Sequence, residues 1–336
     1  MWVLRTPTGV GSLELQTTSM SFSLGPRDVL VRIRAASLNP RDLAKINHLH
    51  PTPVKESLIP GSDDAEIVLE VGSDVHDFCV GDNIVTHIAT HLSDEAFATT
   101  DDMIQGLSQQ RDGTLCEIGV FSDTALVRMP KNLSFEEAAT LTCSGLTAWN
   151  ALFGHPGKVV HDGDHVLVQG TGGVSIAALQ VRKAMSCIAS CVSCGVGSGT
   201  DNCERIACSS SRCNSRSYNK QPRKVESPER TWRFTRNQLS HNQELGQSIL
   251  VTRPGGVLSV VGASGGFEGE RPDILKVLFR GVSLRGIVMF RNMVEFIEAK
   301  NLQSAVDGVT FALKYLKAAV ERLRKGEHFS KIILRD

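Results

Sequence analysis

The sequence predicts an α/β protein in two differently built parts: a small, mostly antiparallel β domain, then a parallel sheet covered by helices on both faces. Three observations point to it. Short β-type runs separated by turn residues fill the first part of the chain, and strand-like and helix-like segments alternate in the later part. Between them, the apolar run Val166–Gln169 feeds a glycine-rich turn, Gly170-Thr171-Gly172-Gly173-Val174-Ser175, which opens a helical segment. At 336 residues, 41% hydrophobic and 21% charged, the chain can bury the cores of two domains or one large one.

In chain order, Val29–Ala35, Glu66–Val71, Asn83–His87, Leu115–Ile118 and Thr124–Met129 read as strands, with Gly-Pro, Pro-Gly and Gly-Asp pairs between them. Leu92–Arg111 is polar and aperiodic, and reads as a loop. Ser134 followed three residues later by Glu137 has capping-box spacing and predicts a helix continuing through Phe153. After the glycine turn come a helix from Ile176, a helix over Leu245–Val251, a turn at Pro254-Gly255-Gly256 and a strand over Val257–Val261. Ile274–Phe279 (helix), Val282–Val288 (strand), Val294–Glu298 and Phe311–Leu323 (helices) and Ile332–Leu334 (strand) complete the alternation.

From about residue 181 to 240 this pattern fails: the stretch is rich in Ser, Arg, Cys and Asn and lacks the apolar alternation of its flanks. Six of the nine cysteines fall here, but the spacing Cys187-x3-Cys191-x2-Cys194-x8-Cys203 matches no zinc or iron–sulfur module. The sheet is therefore expected to be incomplete between about 182 and 240.

Lys plus Arg and Asp plus Glu each number 36, so no net field favours nucleic acid or an anionic membrane, and the expected partner is a small molecule. The amino terminus lacks a basic segment followed by an apolar core, and no run of ~18 apolar residues follows. The expected location is cytoplasmic, with the cysteines as thiols.

Glycines after a buried strand let backbone approach a pyrophosphate, and the following helix start offers N–H groups to it. Ser175 replaces the third glycine of that fingerprint. The same residues also suit a tight strand-to-helix turn without a ligand. The acidic residue that holds the ribose of NAD, expected ~20 positions on, is missing from Cys191-Val192-Ser193-Cys194-Gly195, while Arg205, Arg212 and Arg216 follow. The cofactor expected is NADP(H) rather than NAD(H).

Several ordered blocks extend this. Ala36-Ser37-Leu38-Asn39-Pro40-Arg41-Asp42-Leu43, Pro60-Gly61-Ser62-Asp63-Asp64-Ala65-Glu66, Val80-Gly81-Asp82, Gly145-Leu146-Thr147-Ala148-Trp149, Arg253-Pro254-Gly255-Gly256 and His328-Phe329-Ser330-Lys331-Ile332 accompany the glycine turn. Together they resemble the zinc-independent medium-chain dehydrogenase/reductases of quinone oxidoreductase and enoyl reductase type. The resemblance implies a GroES-like β-barrel domain over 1–128, completed by about 290–336, and a Rossmann domain over 129–289. It also implies an oxidoreductase that reduces quinones, enones or related carbonyls by hydride transfer, and it allows a homodimer.

By the same resemblance, Asn39 lines the substrate cleft and Thr147 contacts the nicotinamide side. Gly170, Thr171, Gly172, Gly173, Val174 and Ser175 cradle the phosphates, Gly262 and Ala263 border the nicotinamide, and Arg291 reaches the adenosine end. Read without it, Asn39 is a turn residue before Pro40 and Thr147 a helix hydroxyl bonded to its own backbone. Zinc-dependent relatives carry metal ligands where this chain has Asn39, Ser62 and Cys143, and one soft ligand does not make a catalytic zinc site, so no zinc is expected. The missing ribose acid and the lack of an evident proton donor leave a second reading open: a catalytically impaired dinucleotide-binding or structural module.

Overall fold

The computed structural model describes residues 1–17, 23–50, 53–88, 104–155, 157–185, 188–192, 231–236, 252, 254–261, 283–284 and 290–335. The chain divides into two units, Met1–Leu146 with Val288–Asp336, and Thr147–Ile287.

The first unit begins with a two-stranded ribbon, β1 (Trp2–Leu4) against β2 (Leu13–Leu15), too short for periodicity to announce it. β3 (Asp28–Ser37) is the axis of the main sheet: Val29, Val31, Ile33 and Ala35 face the core while Arg32 and Arg34 face out, the period-2 alternation of a half-buried strand. α1 (Pro40–Ile46) follows, with Pro40 at its first position, where a missing N–H costs nothing. β4 (Asp64–Val71), β5 (Asn83–Thr86), β6 (Ile118–Ser122) and β7 (Leu126–Arg128) come next. The strand expected at Leu115–Ile118 starts later because Leu115 leaves the ladder to bond Trp2 and Pro60 backbone instead. Thr124–Met129 shortens to β7, its start wound into a 3-10 turn over Asp123–Ala125. Much of Leu92–Arg111 lies outside the described residues.

The helix expected from Ser134 to Phe153 is divided. α2 (Phe135–Ala138) carries the capping box, with the Ser134 and Glu137 side chains bonding each other's backbone N–H. A π-type turn over Leu141–Gly145 then leads into α3 (Leu146–Phe153).

In the second unit β8 (His165–Gln169), α4 (Gly173–Ala184), β9 (Ile188–Val192), β10 (Thr231–Arg236), β11 (Val257–Val261) and β12 (Ser283–Leu284) form a wholly parallel sheet of order β12-β11-β10-β8-β9. Two of these strands, β9 and β10, fall inside the window from about 182 to 240 where incompleteness was expected. Polar composition there did not prevent pairing, because a ladder is made by backbone groups and β8 offers both edges to them. The helices expected over Leu245–Val251 and Ile274–Phe279 lie outside the described residues.

The carboxyl end returns to the first unit. α5 (Arg291–Ala299) precedes β13 (Thr310–Ala312), α6 (Leu316–Lys325) and β14 (Ile333–Arg335). The helix expected over Phe311–Leu323 is thus part strand and part helix. α6 buries Leu316, Ala319, Val320 and Leu323, an i, i+3, i+4, i+7 stripe, in the same core as Val29, Val31 and Ile33. β14 pairs with Ala35–Ser37 and β6 with Asp28–Arg32 along one edge of β3, with β4 on the other. Strands from the carboxyl end therefore complete the sheet built on β3.

Within β4, Asp64 and Glu66 point the same way and are fully buried. Thr86 donates to Asp64 through its N–H and hydroxyl, while Glu66 sits in register between Ile33 and Ile84. Burial raises the Asp64 carboxyl to about 7; burial, then the charge of Asp64, raises Glu66 well above the usual carboxylate range. Asp63 and Cys116 are the other titratable groups coupled to the pair. The folded state holds protons that the unfolded chain releases, so this contribution is complete below the ordinary carboxylate pKa and is lost as pH rises through the raised values. Glu66→Gln is expected to be more stable than wild type at about pH 8 by about 1–3 kcal/mol, the difference shrinking towards about pH 4. Chemical denaturation at both pH values checks this, and a pH-independent difference contradicts it.

Candidate active site

Two places assemble the residues expected to act, one in each unit. In the second, the sheet order reverses between β8 and β10, and open α/β sheets bind ligands at the carboxyl ends of strands at such a point. β8 ends there, in Gly170. Its φ of +78° is left-handed backbone that an L side chain resists. Gly172 is the N-cap of α4 and has no side chain to cover the first-turn N–H groups of Gly173 and Val174, and that turn carries no acidic residue. The 12-residue helix adds its positive dipole end. Ser175 is buried, as the small third position of the fingerprint requires. β9 ends at Val192, so the end of the second strand carries no carboxylate in its last described residues.

In the first unit, a polar cluster gathers around Asp63. Gly61, at φ +91°, turns the chain where a Cβ would meet the Leu115 side chain at 2.7 Å, and so delivers Ser62 and Asp63 to the interior. Asp63 Oδ2 accepts from Lys331 Nζ at 2.8 Å, Ser37 Oγ at 2.8 Å and Asn39 Nδ2 at 3.2 Å, and Oδ1 accepts from the Cys143 N–H at 3.2 Å. Lys331 Nζ also donates to Asn39 Oδ1. Since an ammonium only donates and a carboxylate only accepts, these neighbours fix the orientation of the Asn39 amide. Asp63 is 0% and Lys331 3% exposed.

Arg41 lies beside this pair, its Nη1 donating to Ser62 Oγ at 2.8 Å and its Nη2 to Gln109 Oε1 at 3.4 Å. One helical turn further on, buried Lys45 donates to the Ser108 carbonyl. Burial, with the charge of Arg41 added, pushes its amine down to about 6. Burial pushes the Cys143 thiol up to about 11.

The sequence expectations are distributed as follows. Asn39 is the N-cap of α1 and a buried member of the Asp63 cluster, so its turn role and its site role coexist. Thr147 is half-buried near the start of α3, in the second unit. Gly170 to Ser175 form the strand-to-helix turn. Gly262 and Ala263 lie outside the described residues. Arg291 opens α5, with its side chain outside them too. Sequence reasoning missed Lys331, Asp63 and Arg41 as site residues. The available signal was an ionisable side chain inside each of three ordered blocks.

Residues 25–131 match the alcohol dehydrogenase GroES-like domain. A zinc-type alcohol dehydrogenase-like protein of Schizosaccharomyces pombe is 35% identical across 98% of this chain and 96% of its own length. The chain belongs to the medium-chain dehydrogenase/reductase superfamily. It is an oxidoreductase of that family, with a GroES-like domain and an α/β cofactor-type domain. The acryloyl-coenzyme A reductase of Metallosphaera sedula is 30% identical over 47% of this chain and 48% of its own. The crystal structure of an NAD-dependent alcohol dehydrogenase superposes with a TM-score of 0.76 at 25% identity, covering all of both chains. A thermostable alcohol dehydrogenase from Pyrobaculum aerophilum shares the fold, with TM-score 0.77 at 21% identity over 100% of this chain and 98% of that one. No helix among the described residues of this superfamily member is long and apolar enough to cross a membrane.

Removing one partner of a buried ion pair leaves a buried charge without compensation. Lys331→Met is expected to destabilise the protein by about 3–5 kcal/mol, with much of the loss recovered in the double variant Lys331→Met, Asp63→Asn. Urea unfolding of the three proteins measures it, and additive losses contradict the pairing.

Proposed function

We propose that this protein is an NADP(H)-dependent reductase of quinones, enones or related carbonyls that works without zinc. The observation that carries this reading is the state of the three positions at which zinc-dependent relatives hold their metal. Asn39 Oδ1 already accepts from the Lys331 ammonium, Ser62 Oγ is a neutral oxygen under the Arg41 guanidinium, and only Cys143 is a soft donor. Catalytic zinc takes three protein ligands, deprotonated where they are thiols. Two cations bonded to two of the three positions oppose a third cation there, so this donor set does not fit the metal. Among the described residues, no three His, Cys, Asp or Glu side chains come together as a metal site.

The turn at Gly170–Ser175 fits a dinucleotide: left-handed backbone at Gly170, no side-chain cap from Gly172 on the α4 N-terminus and a sheet reversal beside it all favour a pyrophosphate. NADP(H) is preferred because the ribose-binding acid is absent at the end of β9. When bound, the reduced cofactor supplies a hydride to an electron-poor carbon of the acceptor and is itself oxidised, while the acceptor oxygen gains negative charge and then a solvent proton. For this chain's own residues, that leaves holding the phosphates at Gly170–Ser175 and offering fixed donors to the oxygen in the first unit. Thr147 would contact the nicotinamide side. Small quinones and enones need no metal to accept hydride, since conjugation delocalises the charge.

Loss of NADPH absorbance with a panel of a small quinone, an enone and a saturated aldehyde tests the reading. Turnover is expected with the conjugated acceptors, and NADPH is expected to exceed NADH in kcat/KM by about tenfold, 1.4 kcal/mol. NADPH binding without turnover of any of them would favour the impaired module instead.

A further inference from the structure

The two charged members of the Asp63 cluster, Asp63 and Lys331, and the neighbouring Asp42 and Lys45 of α1 are each at or below 3% exposure. Arg41 is only partly covered. Among the described residues no carboxylate forms an ion pair with it, in contrast to Lys331, whose charge is matched by Asp63. Its two hydrogen-bond partners, Ser62 and Gln109, are neutral, and the second bond is long at 3.4 Å. A guanidinium has five N–H donors, so three are not used by these bonds. The remaining donors are Nε–H and one N–H on each of Nη1 and Nη2, and Nη1 is held by Ser62, one of the positions that a zinc-dependent relative gives to its metal.

A cation that is held in place, feels the neighbouring Asp42 charge without an ion-pair contact and keeps donors beyond its two neutral partners is arranged for a ligand that brings an anion into contact. The cost of orienting it is met when the protein folds, which is the condition for electrostatic stabilisation of a charge that develops only during reaction. Lys331 does not offer this, because its ammonium is engaged by Asp63 and Asn39. The Asp63–Lys331 pair therefore supports the framework, while Arg41 is the partly exposed cation beside it.

We propose that Arg41 is the catalytic residue that binds the acceptor's oxygen, donating one or two N–H bonds to it as it becomes an enolate or quinol oxyanion. The inference rests on the reductase reading above and names the group that takes over the electrophilic part that metal plays in zinc-dependent relatives. It also points to acceptors whose oxygen stands clear enough of bulky substituents to meet a planar fork edge-on.

The experiment uses the full chain as wild type, Arg41→Met and Arg41→Lys, with two readouts. In turnover of the enone with NADPH, kcat/KM is expected to fall about 10²–10³-fold in Arg41→Met, with NADPH affinity unchanged. Arg41→Lys is expected to recover part of it, because it restores the charge without the fork. Millimolar guanidinium is expected to restore activity to an Arg41→Ala protein, which a purely structural role would not allow. In calorimetric titration with benzoate, an aromatic oxyanion, Arg41→Met is expected to bind at least about tenfold more weakly than wild type. Wild-type turnover with an Arg41→Met protein within twofold of it, and benzoate binding unchanged, would overturn the assignment and leave the reductase reading standing. Arg41-dependent benzoate binding in a wild-type protein that turns over no acceptor would do the reverse.

Discussion

A carboxylate and an ammonium buried together must recover in contacts what they lose in hydration. Asp63 and Lys331 do so because the fold supplies every remaining partner: Ser37 from the end of β3, Asn39 from the cap of α1 and the Cys143 N–H from the turn before α3. Those partners come from segments far apart in sequence, and Lys331 is 268 residues from Asp63. Satisfying one buried charge therefore requires β14 to lie against β3, which in turn seats α6 on the core. A dehydrogenase-type fold can hold its polar centre with a metal or with an ion pair. In this chain an ion pair is formed there, with Asn39 bonded to both charges and Arg41 beside them on α1.

On the proposed reading, the two units divide the chemical labour by their architecture. A parallel sheet with a reversed strand order creates an anion-friendly helix start at the end of β8 and asks only that Gly170, Gly172 and Gly173 stay small. In the first unit a mainly antiparallel sheet, completed by strands from the carboxyl end, creates an interior into which turns carry polar groups, at Gly61–Asp63 and Asn39–Arg41. Buried titratable groups beyond the cluster, Asp64 and Glu66 above all, have no evident part in the chemistry. Burial and the neighbouring Asp64 charge raise the Glu66 carboxyl, which ties the first unit's expected stability to pH.

How much of this was legible in the sequence follows from the range of each interaction. β3, β4, β5 and the turn at Gly170–Ser175 could be read because alternation and glycine spacing are local. The start of β6 was misplaced because Leu115 is apolar and buried like a strand residue, yet bonds to Trp2 and Pro60. Phe311–Leu323 mixes a strand with a helix because its apolar residues satisfy both periods over so short a span. β9 and β10 escaped detection because each is a short segment of five or six residues inside a Ser-, Arg- and Cys-rich stretch, where the alternation of Trp232 and Phe234 with polar residues is too brief to stand out. Asn39 and Ser62 were legible as departures from a metal-ligand pattern, but the reason for the departure was not, since neither the blocks holding Asp63 and Lys331 nor their spacing shows that the two side chains meet.

On the proposed reading, the Asp63–Lys331 pair and the Arg41 guanidinium stand against positions that zinc-dependent relatives give to their metal. Turnover of one conjugated acceptor before and after exhaustive removal of divalent metal with a strong chelator tests it most directly. The expected result is an unchanged rate, with zinc added back producing no gain. A rate lost to the chelator, restored by one equivalent of zinc and not restored in Cys143→Ala would contradict it.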